Sequence, residues 1–188
     1  DVYLSANVLK LANSAAFSRG HQIETVNRAV LQIGEGLVLS LAIEMSTGDM
    51  LRNPISGYAQ EEGSLWAFCL QEAIAAREIA RHSKSELRPD LAYTAGMMFN
   101  SGMVVMSSHL EKGSDLILAK LDDPDHGDFI QTERDIVGTD RDAVGANIAG
   151  RWNLPESIVA AIQYGHRPQE APKEFAPLVY AVHMGDIM

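Results

Sequence analysis

Apolar residues recur every three or four positions along most of this chain and nowhere alternate in the manner of strands, a period that predicts amphipathic helices. Leu4, Val8, Leu11, Ala12 and Ala15 define a first helix, which ends near Phe17-Ser18-Arg19-Gly20. Thr25 can cap a second, with Val26, Ala29, Val30 and Ile33 as its buried stripe and Gly34 as a left-handed stop. Leu37, Val38, Leu41, Ala42 and Met45 then make a helix that is apolar almost all round and therefore belongs inside. From Gly48 to Gly57 turn residues replace any sustained period. The chain is accordingly divided into an N-terminal helical subdomain, residues 1–55, and a larger helical subdomain, residues 56–188.

The larger part opens with a long helix from Ser64, which carries Leu65, Trp66, Cys69, Ala73, Ala76 and Ala80 on one side. Gln71, Glu72, Arg77, Glu78 and Arg81 fall on its polar side, and it stops before Arg88-Pro89. Asp90 can cap the next helix, a buried one that runs past Gly96 and Gly102 to Met106. Shorter helices are expected around 116–121 and 129–136. Thr139 and Asp142 stand at capping-box spacing before a helix that carries Val144, Ile148 and Trp152. Pro155 opens another to Tyr164, Gly165-His166-Arg167-Pro168 breaks it, and a last helix runs from Phe175 to Asp186. The fold class is all-α.

A formal charge of −10 and a pI near 4.9 exclude domain-wide attraction to nucleic acid or anionic lipid. No apolar stretch reaches the roughly 18 residues needed to span a bilayer, so no membrane contact is expected. The single cysteine, Cys69, lies in an apolar helical run and reads as a small buried hydrophobe in a reducing, cytoplasmic setting. The chain opens without a methionine or a basic, apolar leader, which reads as a fragment.

Several motifs, taken in order, resemble the HDOD family, the HD-related output domains of bacterial signalling proteins. Leu11-Ala12-Asn13-Ser14-Ala15-Ala16-Phe17 is similar to that family's early asparagine-serine helix end, and Ile23 to Gly34 to its following segment. Trp66 is similar to the tryptophan of its long helix. Gly138-Thr139-Asp140, Arg151-Trp152-Asn153-Leu154-Pro155 and Ala161-Ile162-Gln163-Tyr164-Gly165-His166-Arg167-Pro168 are similar to its closing pattern. The resemblance covers nearly the whole chain. It implies an N-terminal helical bundle packed on an HD-like helical bundle, and a signalling output role beside receiver or second-messenger domains.

Metal-dependent HD phosphohydrolases need a histidine, an adjacent His-Asp pair and a distant aspartate, whose lone pairs hold metal ions that activate water. Matched by motif, those positions fall at Phe68, at Phe99 and Asn100, and at Asp186. Phenylalanine has no lone pair to donate, and a neutral carboxamide is a poor ligand for a hard cation. Metal catalysis is therefore not expected, no cofactor is assigned, and Phe68 and Phe99 are expected to fill core space. Asn100 is expected to hydrogen-bond Asp186 across the old site.

Three functional readings follow. The first is a non-catalytic signalling scaffold that contacts a protein partner or a linked domain. The second is a residual phosphohydrolase acting on a nucleotide through Asp186 and His166. The third is a silent pocket for a small anion, with Arg141, His166 or Arg167 as contacts. His166 is more simply a helix-end or surface residue, and His183 with Asp186 at i, i+3 an ordinary hydrogen-bonded pair rather than a metal site. The glycine spacing from Gly145 to Trp152 echoes a P-loop but lacks its lysine and preceding strand. Cys69 with His82, or Ser64 with His166, form no nucleophile pair that sequence can establish.

Overall fold

The computed structural model describes residues 2–14, 17, 20, 22–34, 37–38, 41–42, 45, 51, 53–58, 60–111, 114–121 and 129–187. Its helices are α1 (Val2–Ala12), α2 (Val26–Ile33), α3 (Ser64–His82), α4 (Pro89–Phe99), α5 (Ser101–Leu110), α6 (Ser114–Leu121), α7 (Phe129–Val137), α8 (Arg141–Arg151), α9 (Glu156–Tyr164) and α10 (Ala176–Asp186). Single 3-10 turns occupy Ser56–Tyr58 and Pro168–Glu170. Among the described residues the only extended pairing is an isolated bridge between Ile55 and Gln60, so the chain is all-helical as expected. No described helix is long and apolar enough to cross a membrane.

The first helix ends at Ala12, five residues before the expected Phe17, because Asn13 takes over the backbone. Its Nδ2 donates to the carbonyls of Leu9 and Ile23, both at 2.9 Å, and its Oδ1 accepts from the Ile23 N–H at 2.7 Å. Gln32 of α2 then donates to the carbonyls of Ala12 and Phe17, satisfying groups that a helix end leaves open. The stop of α2 is as expected: Gly34 has φ +87° and its N–H reaches the Val30 carbonyl at 2.8 Å. Leu37, Val38, Leu41, Ala42 and Met45 of the expected third helix are helical. The residues between them, and 46–50 of the expected join, lie outside the described residues.

Val8, Ala12, Ala29, Ile33 and Leu37 form one core, with Tyr93 of α4 packed against it. Leu51, Ile55 and Tyr58 belong to another, with Leu65, Met97, Met103 and Leu110. Small residues bring the central helices close. A Cβ on Gly96 of α4 would lie 2.7 Å from Ala73 Cα of α3, and one on Gly185 of α10 would lie 3.0 Å from the Glu72 carbonyl oxygen. The helix α3 is thus gripped between α4 and α10.

Two sequence expectations change here. The glycine-bracketed helix is two helices, broken at Asn100, whose φ −90° and ψ 15° fall in the bridge region between α and β. The break lets Gly102 press on the backbone of Arg141 and Gly145, where any Cβ would collide. The cap of α8 is Asp140, whose Oδ1 accepts the Ala143 N–H at 2.8 Å, so Thr139 and Asp142 do not form a capping box. That frees Asp142 for another use.

Candidate functional site

The helix break at Asn100, the last turn of α10 and the inner face of α3 meet at Glu72, only 1% exposed. Asn100 Nδ2 donates to Glu72 Oε1 at 2.8 Å. Burial pushes the Glu72 carboxyl up to about 10, and the neighbouring Asp186 carboxyl pushes the same way, against smaller opposing effects from Asn100 and Arg141. Glu72 is therefore neutral near pH 7. Its Oε2 has no other fixed partner among the described residues, so the proton it retains is available to Asp186.

On the other side of Asp186 stands His166, in the turn after α9. Its Nδ1 donates to Asp142 Oδ1 at 2.7 Å, and its Nε2 lies 4.0 Å from Asp186 Oδ2, beyond hydrogen-bond reach. Asp142 is fully buried, in the first turn of α8. The His166 ring stacks on Phe99, with centroids 4.6 Å apart and planes 25° from parallel. Gly165 makes that stack possible, since a Cβ there would strike Phe99 Cε2 and lie 2.5 Å from Cζ. The polar centre runs Asp142, His166, Asp186, Glu72, Asn100, with Phe99 as its apolar wall.

Of the residues nominated from sequence, Phe99, Asn100, Asp186 and His166 come together. Phe99 is fully buried, as a space-filling residue should be, but Phe68 is 36% exposed and fills no core. Position 72, one turn further along α3, is the one that faces Asn100. The expected bond from Asn100 to Asp186 is instead made to Glu72, because the carboxyl closer to the helix break is on α3. His166, expected at a helix end or on the surface, follows α9 but is only partly exposed, its Nδ1 held by the buried Asp142. His183 makes no bond to Asp186, and its buried Nδ1 has no partner among the described residues.

Arg141 turns elsewhere: its Nε donates to Glu133 Oε1 at 2.6 Å and its guanidinium lies 4.9 Å from the Tyr58 ring centroid. Arg167 leans towards Glu170, 3.8 Å away. The trio Arg141, His166 and Arg167 is therefore not gathered as one anion pocket. Cys69 is fully buried, and burial pushes its thiol far above the usual range.

An HD-type metal set does not fit these residues. Phe99, matched by motif to a ligand histidine, has no lone pair to donate, Asn100 aims an N–H donor at Glu72, and Glu72 keeps its proton. Among the described residues no three His, Cys, Asp or Glu side chains gather as a metal ion requires. The unpaired Oδ1 of Asn100 and Oδ2 of Asp142 are oxygen donors, but they belong to opposite ends of the polar run.

Periodicity puts Glu72 on the polar side of the long helix, and spacing gives Asp142 only a capping role; the structure corrects both, since each is buried. Each nonetheless left a signal. Glu72 lies three residues after Cys69 and four before Ala76, so a carboxylate sits inside the apolar stripe of α3. Asp140 and Asp142 put two acids at one helix start where a cap needs one.

The family model for the HDOD domain matches residues 1–168. The crystal structure of an HDOD domain protein of unknown function from Geobacter sulfurreducens is 27% identical, with a TM-score of 0.74, and the match covers 100% of this chain and 61% of that one. A protein from Marinobacter aquaeolei VT8, proposed to act in signal transduction, is 25% identical with a TM-score of 0.71, over 97% of this chain and 41% of that one. An uncharacterized protein of Treponema pallidum (strain Nichols) is 28% identical over 191 residues, covering 97% of this chain and 34% of the relative. The chain thus spans about a third of that relative's length. The motifs and the helical architecture agree with these likenesses: the chain belongs to the HDOD domain family.

Proposed function

We propose that this chain is a non-catalytic output and scaffold module of bacterial signal transduction, working in the cytoplasm through helix-face contacts with a protein partner or with a linked receiver or second-messenger domain. The observation that carries this reading is the Phe99–His166 stack. It supports the reading because Phe99, the residue matched by motif to an HD metal ligand, presents only an apolar ring, walled in by Gly165. A neutral Glu72 bonded to Asn100 completes an interior that holds itself together with a proton. Exposed apolar residues supply the contact surface such a module needs: Tyr180, Met184 and Ile187, at i, i+4 and i+7, are 46%, 46% and 67% exposed. The relative proposed to act in signal transduction supports the same role.

The test is metal analysis of purified protein after mild dialysis, together with hydrolysis of bis(p-nitrophenyl) phosphate in the presence of manganese, iron or zinc. Substoichiometric metal and hydrolysis equal to that of Asp186→Ala are expected. Stoichiometric metal with hydrolysis lost in Asp186→Ala would replace this reading with a residual phosphohydrolase.

A further inference from the structure

The geometry points to a binding site for a small amphipathic carboxylate in the groove where the N-terminal helices meet α3 and α4. This groove, of 380 Å³, is separate from the polar centre and lies at the low end of the roughly 300–1,000 Å³ typical of small-molecule sites. One wall is apolar, built from Phe17, Ile33 and Leu37. The other carries Arg77 and Arg81, one helical turn apart on α3.

The arginines are placed to receive an anion. Arg77 commits only Nε to Glu78, at 3.3 Å, and Arg81 only Nη1 to the same oxygen, at 3.2 Å. Two guanidinium groups thus share one carboxylate oxygen, and their remaining N–H donors have no acceptor among the described residues. Arg77 is oriented from beneath, its guanidinium carbon 5.7 Å from the centroid of the Tyr93 ring. The acid on the rim does not cancel this charge. Asp90 is already held by Arg88 at 2.6 Å and by the Leu91 N–H at 2.9 Å. In a chain of net charge −10, this leaves a cationic spot beside an apolar wall.

The occupant that fits is a molecule with one anionic head for the guanidinium fork and a short apolar body for the opposite wall. Octanoate has both. Inorganic phosphate has only the head and octanol only the body. Because Phe17, Ile33 and Leu37 come from the N-terminal part of the chain and the arginines from α3, such a ligand would bridge the two parts and favour their docked arrangement.

Ligand-observed NMR titrations with octanoate, octanol and inorganic phosphate test the site on wild type, Arg77→Gln, Arg81→Gln and Leu37→Asn. Arg81 is the safer variant for folding, since its side chain is 59% exposed, and thermal melts check each variant. Saturable octanoate binding is expected, weakened about tenfold by either arginine substitution and weakened also by Leu37→Asn. Octanol or phosphate should bind about tenfold or more weakly than octanoate. Octanol binding as tightly as octanoate, phosphate binding as tightly, unchanged affinity in Arg81→Gln, or no saturable binding of octanoate would each overturn the assignment.

Discussion

Asn100 Nδ2 lies 2.8 Å from Glu72 Oε1, and this one hydrogen bond joins the break between α4 and α5 to the centre of α3. Where a metal enzyme would need a carboxylate that has lost its proton, burial and the nearby Asp186 make Glu72 keep its own.

The first prediction follows from that proton. Unfolded, the Glu72 carboxyl ionises above its ordinary value of 4.5, whereas folded it stays neutral until about pH 10. Between those values the unfolded chain binds fewer protons, so wild-type stability falls as pH rises. Glu72→Gln keeps an acceptor for Asn100 and a donor for Asp186 but has no proton to lose. Its stability relative to wild type should therefore improve with pH across this window, by at most about 1.4 kcal/mol per unit. Urea melts from pH 5 to 9 check this, and parallel curves for the two proteins would refute it. Asn100→Ala strands the Glu72 oxygen and should cost about 1–3 kcal/mol.

A second prediction concerns the aromatic wall. A methyl group at position 165 would enter the space of the Phe99 ring, which is fixed on its other side by His166. Gly165→Ala should cost about 1–3 kcal/mol by overpacking. Phe99→Leu opens room for that methyl, so the double variant should be less destabilised than the sum of the single ones. Additive losses in denaturant melts would show that the two positions do not share this contact.

How much of this was legible in the sequence depends on what each residue answers to. Periodicity exposes which face of a helix is buried, so Leu65, Cys69, Ala73 and Ala76 were readable, as were Gly34 and Asp186. It does not reveal which turn of α3 comes level with a glycine on another helix. Matching by motif therefore selected Phe68, while the approach of Gly96 to Ala73 and of Gly185 to Glu72 brings position 72 to the centre. The break at Asn100 was hidden for a similar reason. The apolar run continues through it, and what the break serves is a contact between Gly102 and a backbone some forty residues away.

Cys69 supplies a third prediction. It is fully buried, and burial, then the Glu72 carboxyl, push its thiol well above the ordinary range. Only the thiolate attacks disulfide reagents, so modification in the folded protein should wait for opening of the structure. With Ellman's reagent, one thiol should react promptly in urea and orders of magnitude more slowly without it. Fast reaction of the native protein at neutral pH would contradict the packing of α3.

The last prediction tests how residues 56–58 are tied to the body of the fold. Glu133 of α7 has no exposure, yet its carboxylate accepts three hydrogen bonds: from the Tyr58 hydroxyl at 2.7 Å, from the Arg141 N–H at 2.7 Å and from Arg141 Nε at 2.6 Å. Removing one partner from such a group leaves a buried charge uncompensated, so Arg141→Met should cost about 3–5 kcal/mol. Tyr58→Phe removes only a neutral donor and should cost about 1 kcal/mol. Replacing both charges, as Glu133→Leu with Arg141→Met, removes the stranded carboxylate and should recover part of the loss. Hydrogen exchange provides the local readout: in Arg141→Met, amides around Tyr58 should exchange faster than those of α9, which this network does not touch. Equal acceleration in both places would mean that the ion pair supports the fold as a whole and does not specifically fasten the turn.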